Sequence, residues 1–101
     1  MENKKTDRLI WFKGDIIPVG DAKINVLSPT SQFGANVFEG LRAYWNVSEK
    51  QLYVFKLPEH IDRLQNSIKM LELEATFTNV FLQKSVIDII QANKFQEDLV
   101  C

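Results

Sequence analysis

The chain has one cysteine, Cys101, and one histidine, His60. A lone cysteine closes no internal disulfide and builds no thiolate cluster, and a lone histidine rules out a zinc site made of several imidazoles, so no metal is expected. Charge of a single sign is also missing. The 12 basic and 13 acidic side chains leave a net charge of −1, with no basic footprint for nucleic acid or an anionic membrane surface. No apolar run approaches the length of a membrane span, and the opening residues before Leu9 contain no apolar h-region, which points to a cytoplasmic location. Glycine is sparse, with four residues. Gly34 and Gly40 come with neither a Walker lysine nor G-x-G-x-x-G spacing, so nucleotide binding has no support. No serine or cysteine stands in an elbow or triad context, and His60 reads as a structural histidine rather than an acid–base group. There is no internal repeat, low-complexity stretch or linker.

What is present is an ordinary soluble composition, 46% hydrophobic and 25% charged over 101 residues, sufficient for one modest core. Residues 1–8 are polar and expected to be flexible. Leu9 to Phe12 and Ile16 to Pro18, separated by Lys13-Gly14-Asp15, predict a hairpin. Ala22, Ile24 and Val26 alternate with Lys23 and Asn25, which predicts a third short strand. Residues 28–36 are turn-rich, with room for one helical turn. Val37 to Trp45 reads as the clearest strand, followed by a turn and a partner strand over 51–55. Period-two alternation puts Val37, Glu39, Leu41, Ala43 and Trp45 on one face and Phe38, Gly40, Arg42 and Tyr44 on the other. From Leu57 the apolar period lengthens to four and three, giving a helix with Pro58 in its first turn. Its His60, Arg63 and Ser67 share one edge of the apolar stripe. A second helix is predicted over 79–93 with Thr78 as N-cap, and a fresh apolar strand begins at Leu99.

The chain has only three arginines, and the guanidinium fork suits phosphate or carboxylate better than the nine scattered lysines do. Arg42 shares a strand face with Gly40. Arg63 lies on the helix edge, where Glu59 four residues earlier offers a plain surface ion pair as the alternative. Gly40 weakens the strand and calls for either a bulge or close approach by a ligand or another backbone. Phe38 and Tyr44 read as packing residues on base rates. Glu39, on the face with Val37 and Leu41, is either partly buried with a partner or at an edge, and it is not read as a general base.

Several strings resemble branched-chain amino-acid aminotransferases, in the family's order and spacing. They are Ile10-Trp11-Phe12-Lys13-Gly14, Asp21-Ala22-Lys23-Ile24, Val37-Phe38-Glu39-Gly40-Leu41-Arg42-Ala43-Tyr44 preceded by Gln32-Phe33-Gly34, and Phe55 to Leu64 with Asn66-Ser67. Glu59-His60-Ile61-Asp62-Arg63-Leu64 is shared with D-amino-acid aminotransferases and aminodeoxychorismate lyases, whereas the string from Val37 to Tyr44 favours the branched-chain group. The resemblance covers residues 9–101. It implies an α+β fold, the small N-terminal domain of fold-type IV (D-amino-acid aminotransferase-like) pyridoxal-phosphate enzymes, with an antiparallel sheet and two packed helices. It further implies transfer of the amino group of leucine, isoleucine or valine to 2-oxoglutarate, and a homo-oligomer. Arg63 is implied as a ligand of the pyridoxal 5'-phosphate phosphate group, with Phe38, Gly40, Arg42 and Phe33 at the substrate pocket.

Phe33 stands where the family usually has a tyrosine, so that hydroxyl donor is missing. Family members also continue beyond the position of Cys101, which resembles a substrate-binding tyrosine, into a second domain. That domain supplies the Schiff-base lysine and the acid that protonates the pyridine nitrogen. None of the nine lysines matches that lysine. The chain is therefore expected to be a truncated piece, lacking the C-terminal catalytic domain, inactive alone and not a stable binder of the cofactor, with no catalytic residue assigned. A non-catalytic dimerisation or binding module and a D-amino-acid aminotransferase or aminodeoxychorismate lyase remain the alternatives.

Overall fold

The computed structural model describes residues 8–34, 36–74 and 76–101. The expectation of a flexible segment over 1–8 lies outside the described residues, except for Arg8.

Two antiparallel sheets and three helices make up the described structure. β1 (Leu9–Phe12) and β2 (Asp15–Pro18) form the first hairpin, with Leu9 opposite Pro18 and Phe12 opposite Asp15. Its two-residue turn needs left-handed backbone, at Lys13 (φ 55°) and Gly14 (φ 94°), the geometry that matches strand twist. The second sheet has the order β4–β3–β5, built from β3 (Arg42–Asn46), β4 (Gln51–Val54) and β5 (Leu99–Val100). Ala43 faces Val54 on one side and Leu99 on the other. Reciprocal backbone hydrogen bonds between Leu41 and Cys101 (2.8 and 2.7 Å) extend that pairing by one step.

Two expected strands come out differently. The alternation over 22–26 forms no strand: a 3-10 turn spans Val19–Asp21, and Ile24 and Val26 stay exposed. Among the described residues no neighbouring strand meets that apolar side, and without a partner alternation alone does not make a ladder. The strand predicted over 37–45 is paired only from Leu41 onward, and residues 37–40 have no ladder partner among the described residues. Its alternation holds nonetheless. Leu41 and Ala43 are buried while Phe38, Gly40, Arg42 and Tyr44 are exposed.

The turn-rich stretch contains a short helix, α1 (Pro29–Phe33), capped by Ser28 and closed by Gly34 at φ 64°. α2 (Leu57–Met70) starts with Pro in its first turn, and it carries Glu59 near its N-terminus and Lys69 near its C-terminus, as the helix dipole favours. α3 (Asn79–Asn93) has the predicted bounds, and the Thr78 hydroxyl accepts from the Phe81 amide at 3.1 Å.

The core is small. Leu41, Ala43, Ile61 and Ile90 are its buried apolar side chains, with Ser85 beside them donating to the Phe81 carbonyl. α2 packs on α3, and α3 on β1. The Asn93 side chain fixes the second contact by bonding both the amide and the carbonyl of Leu9 at 2.8 Å. Trp11 packs edge-on against Phe77 and Phe81, which stack on each other.

Candidate functional site

The segment 37–41 runs extended into β3 with its odd positions turned inward, and this delivers Glu39 to α2. There its Oε1 lies 2.7 Å from Arg63 Nη2 and 3.2 Å from His60 Nδ1. A carboxylate only accepts, so His60 donates from Nδ1. His60 and Arg63 lie three positions apart on the helix, which puts them on one face. Glu39 is 10% exposed and His60 18%, whereas Arg63 is 68% exposed. The guanidinium is thus held at one nitrogen and otherwise open to solvent.

This settles which of two partners Arg63 takes. The helical neighbour Glu59 is not in the ion pair; Glu39, from a different element, is. The inward alternation of Val37, Glu39 and Leu41 was the sequence signal, since an acidic side chain on a burying face needs a partner. Ser67, the third residue of the predicted edge, is half-buried a turn further on and makes no polar contact with the pair among the described residues. Next to the cluster is a cleft of about 370 Å³ whose lining includes Trp11, Leu41, Ile61 and Ile89 together with Glu39 and His60. No feature of the sequence pointed to it.

The other candidates lie on the opposite face of the same segment. Phe38 is 87% exposed, Gly40 and Arg42 are exposed, and Phe33 at the end of α1 is 81% exposed. Tyr44 follows on this face, edge-on to Phe55 with ring centroids 6.2 Å apart. Beyond its chain neighbours, a side chain at Gly40 would meet no atom of the described residues within 4 Å, and its φ is not in the left-handed region. Neither a bulge that needs left-handed backbone nor crowding among the described residues therefore accounts for the glycine. Chemically, the arrangement offers an exposed guanidinium for an anion on the α2 side and an aromatic, arginine-bearing face on the other. No helix is long and apolar enough to cross a membrane, and no group of metal-ligating side chains forms among the described residues.

No family profile matches the chain. Individual proteins do. A branched-chain-amino-acid aminotransferase of Escherichia coli K12 is 37% identical over 93 residues, 92% of this chain and 29% of that protein. The crystal structure of a branched-chain aminotransferase from Thermoproteus uzoniensis with norvaline is 42% identical, with a TM-score of 0.87 over 92% of this chain and 31% of that one. That of the Thermobaculum terrenum enzyme in its PLP-form is 29% identical, with a TM-score of 0.82 over 95% of this chain and 31% of that one. The chain thus spans about 30% of the length of the relatives it matches. Its fold is the expected α+β fold of this group, with antiparallel sheets and two packed long helices.

Proposed function

We propose that this chain is the small-domain portion of a pyridoxal-phosphate-dependent aminotransferase that moves the amino group of leucine, isoleucine or valine to 2-oxoglutarate. The single observation that carries this is the division of one segment between two tasks. Glu39 turns inward to Arg63, while Phe38, Gly40 and Arg42 turn outward, in a chain that matches branched-chain aminotransferases over about nine tenths of its length.

The chemistry of the donors fits the cofactor. A guanidinium with one nitrogen held and the rest in solvent is suited to a phosphate ester, which accepts charge-assisted hydrogen bonds in the plane of the fork. When bound, pyridoxal phosphate supplies an electron sink for breaking the bonds at the substrate α-carbon. The residues of this chain bind and orient: Arg63 takes the phosphate, Phe38 and Phe33 offer apolar surface to a branched side chain, and Arg42 offers its charge to a carboxylate. Gly40, open on its own chain, leaves room for close approach of a ligand. Phe33, without a hydroxyl, contributes shape and no polar contact. The lysine that holds the cofactor covalently is read as lying outside these residues, so that residues 9–101 are inactive alone. We place the protein in the cytoplasm, as a homo-oligomer.

The test is cofactor binding and substrate choice in the protein that carries these residues. Loss of a hydrogen bond to a charged group costs about 1.5–3 kcal/mol, so Arg63→Ala should weaken pyridoxal phosphate roughly 10- to 150-fold and leave pyridoxal, which has no phosphate, unaffected. L-Leucine should be turned over in preference to D-alanine. Equal loss for both pyridoxal forms, or preference for D-alanine, would overturn the proposal. A stable absorbance band assignable to one of the seven lysines in residues 9–101 would overturn their inactivity.

A further inference from the structure

We infer that Glu39 is a positioning residue: it fixes the orientation of the Arg63 guanidinium, and it ties the segment carrying Phe38 and Gly40 to α2. The role given to Arg63 rests on the function proposed above; the tie between the two elements does not. The Glu39 Oε1 accepts from Arg63 at 2.7 Å and from His60 at 3.2 Å, so one oxygen joins two successive positions on the face of α2. The carboxylate itself is 10% exposed. An arginine that is 68% exposed would ordinarily sample many rotamers, at an entropy cost to any anion that must select one. With one nitrogen gripped from the inner side, that cost is met before the anion arrives, and the remaining donors keep one orientation. The backbone of residues 37–40 belongs to neither ladder of the sheet. Beside the apolar packing of Val37 and Leu41, the Glu39 contact is the polar tie between this stretch and the helix among the described residues. Because Phe38 and Gly40 flank Glu39, the same contact sets where they stand. The substrate side and the phosphate side are thereby joined through one carboxylate.

Charge and position make opposite predictions, which gives the test its power. A carboxylate beside a guanidinium lowers the positive potential an anion meets, so by charge alone its removal tightens anion binding. Glu39→Gln keeps the reach and an acceptor oxygen but removes the charge. Glu39→Asp keeps the charge but is one methylene too short. The probe is inorganic phosphate, titrated into the 101-residue chain while the Arg63 Nε–H signal is followed by NMR, with amide exchange over 37–40 measured without phosphate. We expect Glu39→Asp to bind phosphate several-fold more weakly, to average the Arg63 guanidinium signal, and to speed exchange over 37–40. Glu39→Gln should bind at least as tightly as the native chain. An Arg63 signal and exchange rates unchanged in Glu39→Asp overturn the inference, whatever phosphate does. A native chain whose Arg63 signal ignores phosphate, but whose guanidinium loosens in Glu39→Asp, counts against the phosphate reading and for the positioning one.

Discussion

Tyr53 in β4 donates its hydroxyl to Glu49 Oε1 at 2.6 Å, and this hydrogen bond is the main reason its phenol pKa lies above the ordinary value of 10.0, with burial and the nearby negative charge adding in the same direction. A proton held more tightly in the folded chain makes the contact favourable below the ordinary tyrosine range, and that contribution is lost as pH rises through the higher folded value. Glu49→Gln should therefore bring the Tyr53 titration, followed by phenolate absorbance, back toward 10; an unchanged titration would mean that the hydrogen bond is not the cause. At this scale the sequence was legible in types more than in partners. That Arg63 was suited to an anion followed from its donor fork and from the family resemblance, and alternation put Glu39 on the face of Val37 and Leu41, either partly buried with a partner or at an edge. Their meeting did not follow, because a pair between an extended segment and a helix depends on how the two elements dock, while the i, i+4 neighbour Glu59 is always in view. Gly40 was recognised as needing a reason, and crowding among the described residues is not that reason.

Among the elements, α3 was read to its bounds because two signals agreed there, apolar residues at helical spacing and a threonine before the first turn; the helix ends on a left-handed Lys94 (φ 56°), which the sequence did not announce. Thr78→Ala removes the side-chain acceptor seen at that N-terminus, where the hydroxyl meets the Phe81 amide. A cap of this kind is worth about 1 kcal/mol, and a fall in unfolding free energy of that order in urea is expected; no change would show that the amide is as well served by water. The strand expected over 22–26 failed for a reason pattern reading does not contain. A helix satisfies its own backbone, whereas a strand exists only if a neighbour arrives. Residues 37–41 show both halves of this: the alternation governs which side chains are buried, and the available partners govern where the ladder begins.

The molecule as a whole is thin, with principal extents of 45 × 36 × 19 Å and a radius of gyration of 15.0 Å, against about 13 Å for a compact domain of 100 residues. Its buried apolar side chains are few, while Phe33, Phe38, Val47, Met70 and Val80 are each more than 75% exposed. Where such exposed apolar side chains are contiguous, they mark surface that other protein covers. The 101-residue chain should therefore self-associate, with a sedimentation coefficient that rises with concentration, and Phe38→Asp should shift it toward the monomer. A coefficient that stays monomeric over a wide concentration range would speak against a retained interface. Composition had pointed to one soluble domain with an ordinary core, and the distribution of apolar residues between inside and outside was invisible to it. The number of hydrophobic residues is a property of the chain; how many of them the fold covers is a property of the slab.

The two-sided pairing of β3 has a bearing on how such a chain reaches its final shape. β3 and β4 are joined by a short turn, so their pairing is a local event with little loop entropy against it. β5 comes from beyond both long helices, and bringing Cys101 beside Leu41 closes a loop that contains all of α2 and α3. That step carries the greater entropic cost and gains from waiting until the helices have packed. Residue 41 is also where the segment carrying Phe38 and Gly40 enters the sheet. The part of the chain that we assign to substrate is thus anchored by a contact between residues far apart in sequence, late to form and early to open.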